Sequence, residues 1–297
     1  MDKFHCIGII AKPNGNLTEE VLRVVKLVAD RCDKIVLGPN AAKAYAGQSP
    51  FPVLSISEMT DTIDLAVTIG GDGTMIGAAR ELSRKKIPII GICAGRLGFI
   101  TDIAIEAIEK TLPDMLSGHY VIDTRPMLEG VLIRDGKEIM RSLSTNDVSI
   151  CHGRALGMVE YSIRVNDELM ATQRADGILV STATGSTAYA MSAGGPILHP
   201  ITRSMLLVPV APHTLTNRPV ILHSSSLIKI EILDTRNAVV SFDAQVFEDV
   251  FVGDTIQIRV SPDSEFVMLH PKDYSHFDLL RRKLHWDYLP RSEHSIG

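Results

Sequence analysis

Gly70, Gly71, Asp72 and Gly73 follow a hydrophobic run, Asp64 to Ile69, and precede a helical pattern expected to start near Thr74. A glycine turn between a strand and a helix aims backbone N–H groups at one spot beside the positive end of the helix dipole, and phosphate is the natural occupant. The plainer reading is a strand-to-helix turn with Asp72 as a cap. Asp72 itself argues for chemistry. Like charges ~4 Å apart repel by around 4 kcal/mol at an effective dielectric of 20, so a site that only held phosphate would avoid a carboxylate. A site that takes a proton from an alcohol, or holds a metal beside phosphates, has a use for one. These residues point to phosphoryl transfer to a hydroxyl. A dinucleotide-binding G-x-G-x-x-G would need glycine where Ile76 stands, and no G-x-x-x-x-G-K-[ST] string occurs. Hydride transfer on a standard Rossmann loop and P-loop hydrolysis are therefore both disfavoured.

Two other segments carry unusual combinations. Between Arg174 and Pro196 a short apolar strand, Ile178 to Val180, leads into small and hydroxylated residues. Small side chains let a flat ring approach backbone groups that read a base edge, and Tyr189 adds an aromatic surface and a phenol. A serine- and threonine-rich surface loop has the same composition. Asn146-Asp147 sits between two expected strands, where an amide beside a carboxylate suits ribose hydroxyls or a metal, although a polar turn is the commoner fate of such a pair. The ten histidines show no H-x-x-x-H or H-E-x-x-H spacing, and Cys6, Cys32, Cys93 and Cys151 form no C-x-x-C pair, which disfavours a zinc site. Scattered, mostly buried thiols fit a reducing, cytoplasmic setting.

The elements that must position these residues fall into two classes. At 297 residues the chain exceeds what one core usually holds. Residues 1–120 alternate strand and helix patterns. Strands are expected at Cys6 to Ile10, Lys34 to Leu37, Asp64 to Ile69 and Ile87 to Ile92. Asn16 can cap a helix that places Val21, Val25 and Val28 on one face, and Met75 to Leu82 is a second helix. This alternation predicts a parallel sheet covered by helices. Over 121–270 the period becomes two, as in Tyr161, Ile163 and Val165, in Ile228, Ile230 and Ile232, and in Ile256, Ile258 and Val260. With turn residues at Asp135-Gly136 and Asn166-Asp167, that pattern predicts an antiparallel β domain. In 271–297, Phe277, Leu280 and Leu284 have helical spacing, as expected of a tail returning to the first domain. With 45% hydrophobic residues the chain is globular. A net charge of −5 argues against nucleic acid or an anionic membrane as partner, and no apolar run approaches the ~20 residues of a bilayer span. The first residues read as a strand rather than a signal peptide.

Together the segments resemble the NAD kinases, by GGDG at Gly70 to Gly73, the Asn-acid pair Asn146-Asp147, TGSTAY at Thr184 to Tyr189 continuing to SAGGP at Ser192 to Pro196, and HPKDYSHF at His270 to Phe277. The resemblance implies an N-terminal Rossmann-like α/β domain joined to a C-terminal antiparallel β-sandwich. It also implies an ATP-dependent kinase that phosphorylates the adenosine-ribose 2′-hydroxyl of NAD to give NADP, with Mg²⁺ as the divalent cation and a homodimer or homotetramer as the assembly. By motif match Asp72 is the proton acceptor and Gly70, Gly71 and Gly73 form the phosphate cradle. Asp72, Gly73, Asn146, Asp147, Arg174, Asp176, Thr184, Thr187, Ala188, Tyr189, Ala190, Met191, Ser192 and Gln245 are the expected NAD-binding residues. Asp147 stands where many relatives have glutamate, and Gly157 where some bacterial ones have histidine. No metal ligand and no role for Cys93-Ala94-Gly95 follow. The competing readings are a lipid or sugar kinase sharing GGDG, and a non-catalytic NAD(P) sensor.

Overall fold

The computed structural model describes residues 4–13, 15–153 and 157–286. Asn14, which follows the first strand, and 287–297 of the expected tail lie outside the described residues. The chain divides into two compact units, one of residues within 4–78, 87–123 and 268–286, the other of 79–86 and 124–267.

In the first unit β1 (Cys6–Ala11), β2 (Lys34–Leu37), β3 (Leu65–Gly70) and β4 (Ile89–Cys93) pair in parallel in the order β2-β1-β3-β4, with the short β5 (Ile103–Ala104) beside β4. Every residue of β1 and β3 is buried, which is why they read as unbroken apolar runs rather than alternations. Helix α1 (Thr18–Ala29) buries Val21, Val24, Val25 and Val28. Its cap position is Leu17 rather than Asn16, with no side-chain cap bond; the Asn16 side chain instead accepts from Thr18 Oγ1 at 3.1 Å. The short helices α2 (Pro39–Ala42) and α3 (Ile56–Met59) precede α4 (Asp72–Leu82), and α5 (Ile108–Leu116) buries Ile108, Leu112, Met115 and Leu116 in the same core as α1.

The second unit is antiparallel. Its strands are β6 (Tyr120–Arg134) from Thr124 onward, β7 (Lys137–Ser144), β8 (Asp147–His152), β9 (Val159–Val165), β10 (Glu168–Thr182), β11 (Ser204–Pro212), β12 (Val220–His223), β13 (Ile228–Asp234), β14 (Ala238–Phe242), β15 (Val246–Val250) and β16 (Thr255–Pro271) as far as Val267. The run β15-β14-β8-β10-β9-β13 is continuous, with β11 also on β10. The turns expected at Asp135-Gly136 and Asn166-Asp167 are formed, and all four residues have left-handed φ, the conformation that tight hairpins require. Inward residues of β8, β9, β10, β13, β14 and β16, among them Tyr161, Phe242 and Ile256, make one core. The helix α6 (Tyr189–Ser192) follows a 3₁₀ turn at Thr184–Thr187.

Helix α7 (His276–Leu284) belongs to the first unit and is capped by the Ser275 side chain, which accepts from the Asp278 N–H. Its buried residues are Leu279 and Leu280, whereas Phe277, expected on the packed face, is 59% exposed. His270, nearby, is buried with Nδ1 2.8 Å from Asp102 Oδ2 and Nε2 3.4 Å from Asp123 Oδ2, its ring stacked on Tyr274.

Candidate active site

The GGDG segment is tighter than its composition suggests. Gly70 is the last residue of β3, paired with Cys93, and α4 already begins at Asp72, two residues before the expected Thr74. Only Gly71 lies between strand and helix. A Cβ at Gly70 would overlap Thr74 Oγ1, so glycine there permits the close strand-to-helix turn. A Cβ at Gly71 would meet no heavy atom within 4 Å, and its φ is not left-handed, so nothing within the fold demands glycine there. Open space beside the first turn of a helix is what an approaching anion needs.

The Asp72 carboxylate is held by the loop that follows β4. Phe99 N–H donates to Oδ2 at 2.7 Å; Ile100 N–H, Thr101 N–H and Thr101 Oγ1 donate to Oδ1 at 3.3, 3.1 and 2.8 Å. A carboxylate offers about four lone-pair sites, two on each oxygen, so Oδ1 is saturated and Oδ2 keeps acceptor capacity. If Asp72 takes a proton, Oδ2 is the atom that receives it. Gly98 is compulsory in this loop, because a Cβ there would overlap Asp72 Oδ1.

In the second unit, Asn146 precedes β8 and Asp147 opens it, and both lie on the wall of a cavity of about 1030 Å³. Asp243 holds their turn together. Its side chain is fully buried, and its carboxylate accepts from the backbone N–H groups of Thr145 (2.9 Å), Asn146 (2.7 Å) and Asp147 (3.2 Å) and from Arg80 Nη2 (3.3 Å). Burial nevertheless raises its pKa, offset in part by those N–H groups and Arg80. From the other side the Asn146 carbonyl accepts from Thr182 N–H and Ser181 Oγ, and a Cβ at Gly185 would overlap the Asn146 carbonyl. The turn is thus fixed by backbone contacts, leaving the Asn146 and Asp147 side chains to do something else. Neither makes a side-chain hydrogen bond among the described residues. Asp147 is only 5% exposed, and its pKa is pushed up to about 7, first by desolvation and then by the negative Asp243.

The remaining expected site residues are placed unequally. Ala188 and Tyr189 line the same cavity, with the Tyr189 hydroxyl 3.7 Å from Cys151 Sγ and its pKa pushed to about 12, chiefly by burial. Asp176 lies close enough to raise the Cys151 thiol and the Tyr189 phenol further. Thr184 is buried with no partner for its hydroxyl among the described residues, and Thr187 Oγ1 donates to the Thr184 carbonyl. Ala190 is fully buried and packs with Leu179, Leu206 and Val208, so its side chain belongs to a core rather than a ligand wall. Met191 is half-buried and Ser192 exposed. Arg174 is exposed on β10, and the Gln245 side chain accepts from Arg80 Nη2 at 3.2 Å.

Sequence reasoning missed Asp243, Ser149, Cys151, Val239, Ser241 and Phe247, all on the cavity wall. The signal was present as a period of two. Asp147, Ser149 and Cys151 occupy one face of β8, and Val239 and Ser241 face the same way on β14, where Ser149 pairs with Ser241 and Cys151 with Val239.

Comparison with known proteins identifies the family. Residues 7–120 match the family profile of the ATP-NAD kinase N-terminal domain and residues 145–269 that of the ATP-NAD kinase C-terminal domain. The chain is 41% identical over 292 residues to an NAD kinase of Burkholderia pseudomallei, covering 98% of this chain and 97% of the relative. It is 44% identical over 250 residues to one of Cupriavidus pinatubonensis, covering 84% and 82%. Among solved structures it is similar to an NAD kinase from Archaeoglobus fulgidus in complex with ATP, with a TM-score of 0.73, 25% identity, and coverage of 94% of this chain and 98% of the other. It shares the fold of yeast NADH kinase complexed with NADH, with a TM-score of 0.87, 23% identity, and coverage of 100% and 91%. With the GGDG turn, the clasped Asn146-Asp147 pair and both domain profiles on one chain, this protein belongs to the NAD kinase family.

Proposed function

We propose that the chain transfers the terminal phosphoryl group of ATP to the 2′-hydroxyl of the adenosine ribose of NAD, giving NADP and releasing ADP as the leaving group. One observation carries the dinucleotide-binding part. A carboxylate as buried as Asp147, with no donor on it and a cavity beside it, is costly until hydroxyl donors arrive, and a ribose diol supplies two. Asn146 offers the neighbouring amide, and Tyr189 and Ala188 a flat wall for a ring. The turn at Gly71 and the first N–H groups of α4 receive donor phosphate. Asp72 Oδ2 accepts the proton of the attacking hydroxyl, a role that contributes about 10²–10⁴-fold in rate when the base is well placed.

Among the described residues, no group of three or more His, Cys, Asp or Glu side chains could hold a metal ion. On this reading no resident metal is assigned, and Mg²⁺ arrives as the partner of ATP's phosphates, where it neutralises charge on the donor. The family resemblance also supports a homodimer or homotetramer and a cytoplasmic location; among the described residues no helix is long and apolar enough to cross a membrane.

The test uses purified protein with NAD, ATP and Mg²⁺, the product being read with an NADP-specific dehydrogenase. Steady NADP formation is the expected result. Tight NAD binding without product would make the chain a sensor, and product only with lipid or sugar acceptors would make it a different kinase.

A further inference from the structure

The loop that grips Asp72 is itself gripped from its other side. Lys283, in the last turn of α7, donates from Nζ to the Leu97 carbonyl at 2.5 Å, and the same ammonium lies 5.1 Å from the centroid of the Phe99 ring. Both contacts fall within the six residues 96–101 that carry the four donors to Asp72. Cys93 Sγ, at the end of β4, donates to the Arg96 carbonyl, and inside the loop Gly98 N–H donates to the Thr101 carbonyl. Lys283 is half-buried, and its helix is anchored by Leu279 and Leu280, so the ammonium is delivered from a fixed support rather than a frayed end. Arg281 and Arg282, its neighbours in sequence, pair with Asp278 on the helix's own surface. Lys283 instead reaches the loop.

We infer that Lys283 is a positioning residue for the phosphoryl transfer, fixing the 96–101 loop so that its N–H groups hold the Asp72 carboxylate with Oδ2 available. This rests on the reading of Asp72 as the proton acceptor. A charge-assisted hydrogen bond to a carbonyl and a cation over an aromatic face are both lost on removing the ammonium, and arginine can replace both because it donates and stacks.

The experiment compares the wild-type chain with Lys283→Met, Lys283→Arg and Arg282→Met. Two readouts are taken, amide hydrogen exchange at Phe99, Ile100 and Thr101, and steady-state kinetics with NAD and MgATP. Lys283→Met is expected to speed exchange at those amides about tenfold and to lower kcat several-fold, with both KM values within about twofold of wild type. Lys283→Arg restores both readouts, and Arg282→Met leaves both unchanged. Unaltered exchange in Lys283→Met overturns the inference, as does a loss confined to KM, or an arginine variant no better than methionine. Wild-type protein that makes no NADP refutes the reaction itself, and the catalytic meaning of Lys283 with it. The exchange comparison still reports separately whether Lys283 holds the loop.

Discussion

Replacing Asp243 by asparagine changes one oxygen into an NH₂ group at a buried carboxylate that accepts four hydrogen bonds. Oδ1 serves two donors, Asn146 and Asp147 N–H, and Oδ2 serves two more, Thr145 N–H and Arg80 Nη2. Asparagine can satisfy one pair only; the other pair then faces a donor. With the carbonyl kept toward Asn146 and Asp147, Thr145 N–H loses its acceptor inside a fully buried site, at about 1–3 kcal/mol. Arg80 loses less, because it still donates to the Leu143 carbonyl and Gln245 Oε1. The net cost is about 2–4 kcal/mol, a large part of an ordinary stability of about 5–15 kcal/mol but not all of it. Urea denaturation should therefore show a lower midpoint with the protein still folded in buffer. The same clasp sets the Asn146-Asp147 turn, so NAD affinity, measured by calorimetry on the folded variant, should fall about tenfold or more. A variant within about 0.5 kcal/mol of wild-type stability, and within about twofold in NAD affinity, would refute the assignment of Asp243 as the organiser of the turn.

Three further outcomes follow from the same geometry. Asp147, with a folded pKa of about 7 against an unfolded value near 3.9, binds its proton more tightly when folded. Its contribution to stability is full below about pH 4 and is lost as pH rises through about 7. If NAD binds the ionised Asp147 as proposed, its affinity should tighten from pH 6 to 8 and then level, and Asp147→Asn should flatten the profile; a pH-independent wild-type affinity contradicts this. Gly185→Ala drives a Cβ into the Asn146 carbonyl, so thermal stability and NAD affinity should fall together, and a melting curve unchanged from wild type would count against that packing. Gly71→Ala meets nothing within 4 Å and has no left-handed φ, so melting should be unaffected while KM for ATP rises. An unchanged KM would remove Gly71 from the phosphate site.

Much of this protein was legible without coordinates because it is written in short-range patterns. The buried runs of β1 and β3, the valine face of α1 and the alternation in β9, β13 and β16 follow from which neighbours along the chain are apolar, and the turns at Asp135-Gly136 and Asn166-Asp167 from which residues tolerate left-handed φ. Asn146, Asp147, Ala188 and Tyr189 were identifiable by motif, and the structure puts them on one cavity wall. Ala190, directly after TGSTAY, turned inward because α6 must bury one side.

What only the tertiary structure decided is how the two acidic groups are held. Asp243 reaches the Thr145–Asp147 turn across 96 to 98 residues of chain, and Asp72 meets its donors across 27 to 29. Lys283 reaches Leu97 across 186. No local preference encodes such pairs. A carboxylate is spared the cost of burial only by donors that the fold brings to it, and those donors are mostly backbone N–H groups, which every residue but proline carries and which leave no mark in the amino-acid sequence.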